Sequence, residues 1–243
     1  MARDLIRLYV EAPLKVGGGF DVAEEQAGYL LKVMRLGSGD DLLVFNGRDG
    51  EYRARIAEAG KRRCRVEAVE LARAQAQGPD IDYLFAPLKR SRLDYMVQKA
   101  TELGVRRLRP VTTEHTQVER INLERMRANA IEAAEQCGVL WVPDILEPAG
   151  LDAVLGGWEP GRRLVFADEA AAQTSPITAL SALTPGPLAV LVGPEGGFSP
   201  DERKRLLGLP FVTPISLGPR IMRADTAAVA VLTLVNAVLG DWR

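Results

Sequence analysis

The sequence predicts an α/β protein in two parts, a small N-terminal β-barrel followed by an α/β domain built on a parallel sheet. Three observations carry this. Residues 1–75 are filled by short segments of alternating or β-branched character, separated by glycine-bearing turns. From residue 81 onward, short apolar runs alternate with amphipathic helical ones, the pattern of a parallel sheet covered on both faces. The last long segment, "TAAVAVLTLVNAVLG", is a helix apolar nearly all round, so it must be buried in this chain or against a partner.

In order along the chain, "AEEQAGYLLKVMRLGSGD" reads as a helix ending in a Gly-Ser-Gly turn. "DDLLVFNG", "EYRARIAEA" and "CRVEAVEL" read as strands, and Asn46-Gly47 and Asp49-Gly50 are strong turn dipeptides between them. Tight turns at this spacing suggest a small barrel. "ARAQAQGPD" is small, polar and ends in Gly-Pro, a linker that puts the domains at 1–74 and 75–243.

"IDYLFAPL" reads as a strand and "SRLDYMVQKATELG" as a helix, with Ser91 as N-cap, Leu93, Met96, Val97 and Ala100 on one face and Gly104 as stop. "RRLRPVTT" is a strand. "NLERMRANAIEAAEQCG" is a helix capped by Asn122, striped by Leu123, Met126, Ala130, Ala133, Ala134 and Cys137, and stopped by Gly138. Strands follow at "RLVFAD", "PLAVLVG" and "FVTPISLG". The helix between the last two is marked by Ser199 as N-cap, Pro200 at its first position and Glu202 completing a capping box.

The composition is that of a globular protein, 47% apolar and 26% charged over 243 residues. No apolar run approaches the roughly 18 residues that span a bilayer, and Arg3, Asp4 and Arg7 interrupt any signal-peptide core. No membrane partner is expected. Cys64 and Cys137 lie far apart and form no metal or redox motif, so free thiols in the cytoplasm are expected. One histidine, His115 on a polar stretch, excludes a multi-histidine metal site and reads as a surface residue; no metal is expected. The net charge of −1 hides local excess: seven basic residues stand between Arg48 and Arg65, and seven between Lys89 and Arg109. Local patches, not the total, attract a phosphate backbone.

Ligands of open α/β sheets gather at the carboxyl ends of the strands. Three such ends stand out: Asp168-Glu169, the run from Gly193 through Pro194, Glu195 and Gly196 to Gly197, and the run from Leu217 to Arg220. The glycines of the second let backbone approach a ligand closely, or make a tight structural turn. No Lys-Ser/Thr pair follows, so this is not a P-loop, and Asp201 and Glu202 already hold the positive end of the next helix. A flat polar ring read by backbone groups fits better than a phosphate. Arg220 and Arg223 sit just before the apolar helix, where a charge must be paired, solvated or put to use.

"LVGPEGGFSPDE", "SLGPRIMRADTAAVAVL" and "QKATELGVRRLRPVTTEHTQV" together strongly resemble the bacterial 16S rRNA uridine-N3 methyltransferases of the SPOUT superfamily. "YLLKVMRLGSGDDLLVFNGRDGEYRARI" looks like that family's small PUA-like barrel, and "ERMRANAIEAAEQCG" matches another family segment. Gly28 stands where the family often has histidine, and Asp225 where glutamate is usual.

The resemblance implies a C-terminal trefoil knot holding S-adenosylmethionine, and a homodimer with each active site near the subunit interface, which would cover the apolar last helix. The implied reaction is methylation of N3 of a uridine in 16S rRNA, within the small ribosomal subunit. A paired uracil hides N3, so the target is unpaired or flipped out. Arg223 is the first choice and Arg220 the second for stabilising the charge that develops on the uracil oxygens. A salt bridge of Arg223 with Asp225 or Glu202 is the plain alternative. Glu195 is either the general base or an acid that orders its loop. Backbone groups around Leu191, Gly193, Pro194, Gly196, Leu217, Gly218, Ile221 and Met222 are expected to hold the cofactor. Arg35, Arg53, Lys89, Arg90 and Arg92 are candidate phosphate contacts. Rival readings are a knotted methyltransferase acting on another RNA such as tRNA, a non-catalytic RNA-binding module, and a nucleotide-dependent enzyme, against which the missing lysine argues.

Overall fold

The computed structural model of the protein describes residues 5–118, 120–172 and 175–242. The chain divides into two units. The first runs to Gln77 and takes in Ala134–Trp141; the second comprises Gly78–Ala133 and the chain from Val142 onward.

In the first unit, β1 (Arg7–Tyr9) and β2 (Gly19–Asp21) precede a short helix, α1 (Glu24–Gly28), which runs on as a single π-type turn over Tyr29–Val33. Then come β3 (Asp41–Phe45), β4 (Glu51–Ala59) and β5 (Cys64–Arg73). The sheet order is β1-β3-β4-β5-β2, with β1 parallel to β3 and the other pairs antiparallel. Alternation explains the packing: Leu42 and Val44, Tyr52, Ala54 and Ile56, and Cys64, Val66 and Ala68 all turn into one core with Leu8, Ala27 and Leu30. The Asn46 side chain accepts from the Arg48 and Asp49 amides and shapes the β3–β4 turn. Gly50 is required there: its φ is +98°, and a Cβ would stand 2.5 Å from the Arg73 carbonyl oxygen.

Glu51, 2% exposed, is gripped by Arg7 at 2.6 Å and by Arg73 at 2.7 and 2.9 Å. Burial alone would raise the Glu51 carboxyl. The bonds and charges of Arg73 and Arg7 outweigh it and hold the group below the usual carboxylate range. The two arginines then spend their remaining donors on the carbonyls of Ala134, Glu135, Gly138 and Val139. That is why 134–141 belongs with the first unit. The boundary expected at 74/75 lies at 77/78, and the expected second domain loses this segment.

The second unit contains β6 (Ile81–Phe85), α2 (Arg90–Glu102), β7 (Arg107–Thr112) and α3 (Leu123–Cys137), whose residues from Ala134 on are those of the first unit. It continues with β8 (Asp144–Ile145), β9 (Ala149–Gly150), α4 (Leu151–Gly156), β10 (Arg163–Ala167), α5 (Pro176–Ser181), β11 (Leu188–Val192), α6 (Pro200–Leu207), β12 (Val212–Ile215) and α7 (Ala224–Val238). The strand order is β12-β10-β11-β6-β7-β8, with β9 also on β7, and every pairing is parallel. Each face carries its own core. Tyr83, Val165 and Val190 join α2, α5 and α7 on one side; Leu84, Phe166 and Leu191 join α4 and α6 on the other. Among the described residues no helix is long and apolar enough to cross a membrane.

Two local expectations change. Lys89, not Ser91, is the N-cap of α2: the backbone is still extended there, and a lysine side chain has no acceptor to offer, so the cap has no side-chain bond; Asp94 instead binds Arg125 at 2.6 and 2.8 Å and Asn129 at 2.8 Å. Cys137 is exposed rather than part of the buried stripe of α3. Asn122 does cap α3, accepting from the Arg125 amide at 2.9 Å. At the amino ends of the strands, buried Asp82 binds Arg107 at 2.5 Å and Arg109 at 3.3 Å, with buried Arg162 on Asp80 at 3.1 Å.

Candidate active site

The opposite, carboxyl, end of the sheet is open. β10, β11 and β12 lie side by side there, and the loops that follow them enclose a cavity of about 1070 Å3. Its walls are Phe166 to Ala170 at the end of β10 and beyond, Val192 to Glu195 with Gly197 and Phe198 at the end of β11 and beyond, Leu217 to Ala224 after β12, and one side of α6 that includes Arg203 and Leu207. This is the place where parallel sheets bind ligands.

The loop after β11 is held in several ways. Gly193 lies under the Phe198 ring, where a Cβ would come within 2.5 Å of the ring. That ring meets Phe166 edge-on at 5.1 Å. The Gly197 amide donates to Pro194 O at 2.9 Å, with φ +67° at Gly197. The capping box closes at Ser199 and Glu202, at 3.0 and 3.4 Å. Glu195 pairs with Arg92 of α2. His115, beyond β7, reaches Gly196 O at 3.1 Å and Gly197 O at 3.2 Å through Nδ1.

The loop after β10 is tied to α6. Arg203 donates through Nε and Nη2 to the buried Asp168 at 3.0 and 2.9 Å, and through Nη2 to Ala170 O at 3.3 Å. In the loop after β12, Gly218 takes φ +104°, and its amide donates to Ser216 Oγ at 3.3 Å. Arg223 is the N-cap of α7 by its backbone.

The structure gathers most of the residues singled out from sequence. Gly193, Pro194, Glu195, Leu217, Gly218, Arg220, Ile221, Met222, Arg223 and Arg92 all line the cavity. Leu191 and Gly196 do not. The Leu191 side chain is buried in the α4–α6 core, and Gly196 packs against His115. The salt bridge considered for Arg223 is not formed among the described residues. Asp225 accepts from the Thr226 amide, and Glu202 from Ser199 and Glu114. Arg220 and Arg223 are exposed on the cavity wall.

Lys89 and Arg90 stand exposed at the start of α2. Arg53, in the first unit, is engaged by Asp41 at 2.9 Å and Glu70 at 2.8 Å. Its neighbours Arg55, Arg62 and Arg65 also face carboxylates, so much of the basic run 48–65 is neutralised locally. Arg35, also in the first unit, is exposed with φ +57°, the one non-glycine at positive φ among the described residues. Sequence reading missed the Arg203–Asp168 clamp and the contact of His115. Asp168 at a strand end was the only signal for the first.

Residues 76–236 match the RNA methyltransferase domain family, and residues 22–69 the RNA methyltransferase PUA domain. The chain is 30% identical to the "Ribosomal RNA small subunit methyltransferase E" of Rickettsia conorii, over 95% of this chain and 94% of the relative. It is 27% identical to the protein of that name in Bacillus subtilis, over 89% of each. Among solved structures, a Neisseria gonorrhoeae ribosomal RNA small subunit methyltransferase E bound to S-adenosyl methionine superposes with a TM-score of 0.88 at 25% identity, covering 98% of this chain and 100% of that one. A Legionella pneumophila chain in complex with the same cofactor superposes with a TM-score of 0.85 at 29% identity, with the same coverage.

Proposed function

Because the chain belongs to the RNA methyltransferase family, we propose that it methylates N3 of a uridine in the 16S RNA of the small ribosomal subunit, with S-adenosylmethionine as donor. The observation that carries the reading is a glycine-walled cavity at the carboxyl ends of β10–β12 with Arg220 and Arg223 on its rim. The cavity fits the cofactor. Gly193, Gly197 and Gly218 bring bare backbone to its wall, and Leu217, Ile221 and Met222 offer apolar surface for an adenine ring. Its volume of about 1070 Å3 is just above the roughly 300–1,000 Å3 range of small-molecule sites, which leaves room for a flipped base beside the cofactor.

S-adenosylmethionine, when bound, supplies a methyl group on a positively charged sulfur, already activated for transfer. Backbone groups around Gly193, Leu217, Gly218 and Met222 would hold it, and holding donor and acceptor together would supply much of the catalysis. N3 would give up its proton to solvent water as the methyl group is transferred, and negative charge would develop on the flanking carbonyl oxygens. Arg223, with Arg220 second, stabilises it. The Arg92–Glu195 pair supports loop ordering over proton abstraction as the role of Glu195.

Lys89 and Arg90 contact phosphates, with Arg35 of the first unit; Arg53, held by two carboxylates, is the weakest of these candidates. The trefoil knot belongs to the same reading. So does a homodimer, supported by Val229, Ala230 and Leu234, apolar residues of α7 that the chain's own core leaves half-buried. A ribosomal substrate makes the cytoplasm the place of action.

The test is to map N3-methylated uridines in 16S RNA from cells lacking the protein. One site should lose its methyl group and regain it when the wild-type chain is restored. Unchanged methylation at every uridine overturns the reading.

A further inference from the structure

We infer that His115 is a positioning residue for the cofactor loop, an inference that rests on the methyltransferase reading of the cavity. Its Nδ1 stands 3.1 Å from Gly196 O and 3.2 Å from Gly197 O. Both partners are carbonyls, which only accept, so Nδ1 carries the proton and donates to the pair. One ring N–H therefore orients two successive peptide planes of the loop that lines the cavity. Across the trans peptide the Phe198 N–H is anti to the Gly197 carbonyl, and so is directed away from the imidazole.

The histidine is itself held firmly. It sits in a turn closed by the Thr113 amide on Thr116 Oγ1 at 2.8 Å and the Thr116 amide on Thr113 O at 3.0 Å. The adjacent Glu114 amide donates to Glu202 Oε1 at 2.9 Å, the carboxylate that also closes the N-cap of α6. The turn after β7 is thus fixed to α6 at one point and to the glycine loop at another. Gly196 allows the approach: a Cβ there would lie 3.3 Å from the Cβ of His115. Among the described residues no other side chain is seen to bond these two carbonyls.

His115 is exposed, so its replacement leaves both cores of the unit intact. Titrating the full-length protein with S-adenosylhomocysteine should show His115→Ala binding roughly five- to tenfold more weakly than wild type, the effect of one lost hydrogen bond. In turnover, KM for S-adenosylmethionine should rise while kcat at saturation stays within about twofold, since the loop binds rather than reacts. Amide exchange should quicken in residues 193–199 alone.

His115→Asn puts an amide N–H where Nδ1–H was and should restore affinity; His115→Gln, a methylene longer, should not. Unchanged affinity in His115→Ala overturns the proposal, and so does an asparagine variant as weak as the alanine one. A wild-type protein that fails to bind S-adenosylhomocysteine overturns the cofactor reading and this proposal with it.

Discussion

Arg203 holds Asp168 by two prongs, Nε and Nη2, while Asp168 is 4% exposed at the end of β10. The pair fixes one wall of the cavity to the first turns of α6, across 35 residues of sequence. Removing the arginine leaves a buried carboxylate with only the Ala170 amide among the described residues, at 3.1 Å. Arg203→Ala should destabilise the protein by about 1–3 kcal/mol, the cost of an unsatisfied buried group, and weaken cofactor binding. Urea unfolding and calorimetry measure the two effects. Asp168→Asn combined with Arg203→Ala should recover part of the stability, because the buried charge is then gone.

Gly193 and Phe198 make a sharper prediction. A methyl group at position 193 cannot coexist with the ring, because the Cβ would be 2.5 Å from it. Gly193→Ala must push Phe198 off Phe166 and reshape the loop. Cofactor affinity should fall at least about fivefold, in line with the range of about 1–3 kcal/mol typical of overpacking. Phe198→Leu in the same chain should return a measurable part of that affinity. If the single variant binds as wild type does, the loop yields more readily than this contact allows.

Much of this site is legible in the sequence. Strand alternation, the Ser199–Glu202 capping box and the glycines at strand ends are local patterns, and local patterns are written in consecutive residues. What the sequence does not carry is which distant residues become neighbours. His115 and Gly196 are 81 positions apart and meet because loops from β7 and β11 converge, which the strand order decides. The same holds for charge. A run of arginines shows cations but not the carboxylates on adjacent strands, and Arg53 and Arg55 both meet Asp41 of β3. The stripe of α3 shows its apolar face but not that its residues from Ala134 on are those of the first unit, where Arg7 and Arg73 bind the carbonyls of Glu135 and Gly138.

Arg223 tests the chemistry apart from the binding. It lines the cavity by its side chain and makes no ion pair among the described residues, so its loss removes no structural bond there. Arg223→Ala should keep cofactor affinity within severalfold while turnover falls at least a hundredfold, in line with about 2.7–4 kcal/mol for one donor to developing charge. Arg223→Lys keeps the charge without the planar fork and should fall between the two. Single-turnover methylation of small subunits separates the terms. Near-normal turnover in the alanine variant removes Arg223 from the reaction.

Glu51 links the first unit to pH. Its carboxyl titrates below its ordinary value of 4.5, because Arg73 and Arg7 outweigh the effect of burial. A group whose folded value is depressed adds stability that is complete above the unfolded value and lost as pH falls through the folded one. The contribution of Glu51 is therefore full at neutral pH and disappears only below about 4.5. Glu51→Gln keeps the shape but not the charge. At pH 7 it should be less stable than wild type by about 1–3 kcal/mol, the worth of charged hydrogen bonds. The gap should close as pH drops below 4.5, because protonation makes wild type resemble the variant. Urea unfolding of both proteins at steps from neutral pH into that acid range reads the difference directly. A gap that stays constant across the range means that Glu51 does not titrate with folding. The two arginines would then be held by geometry alone.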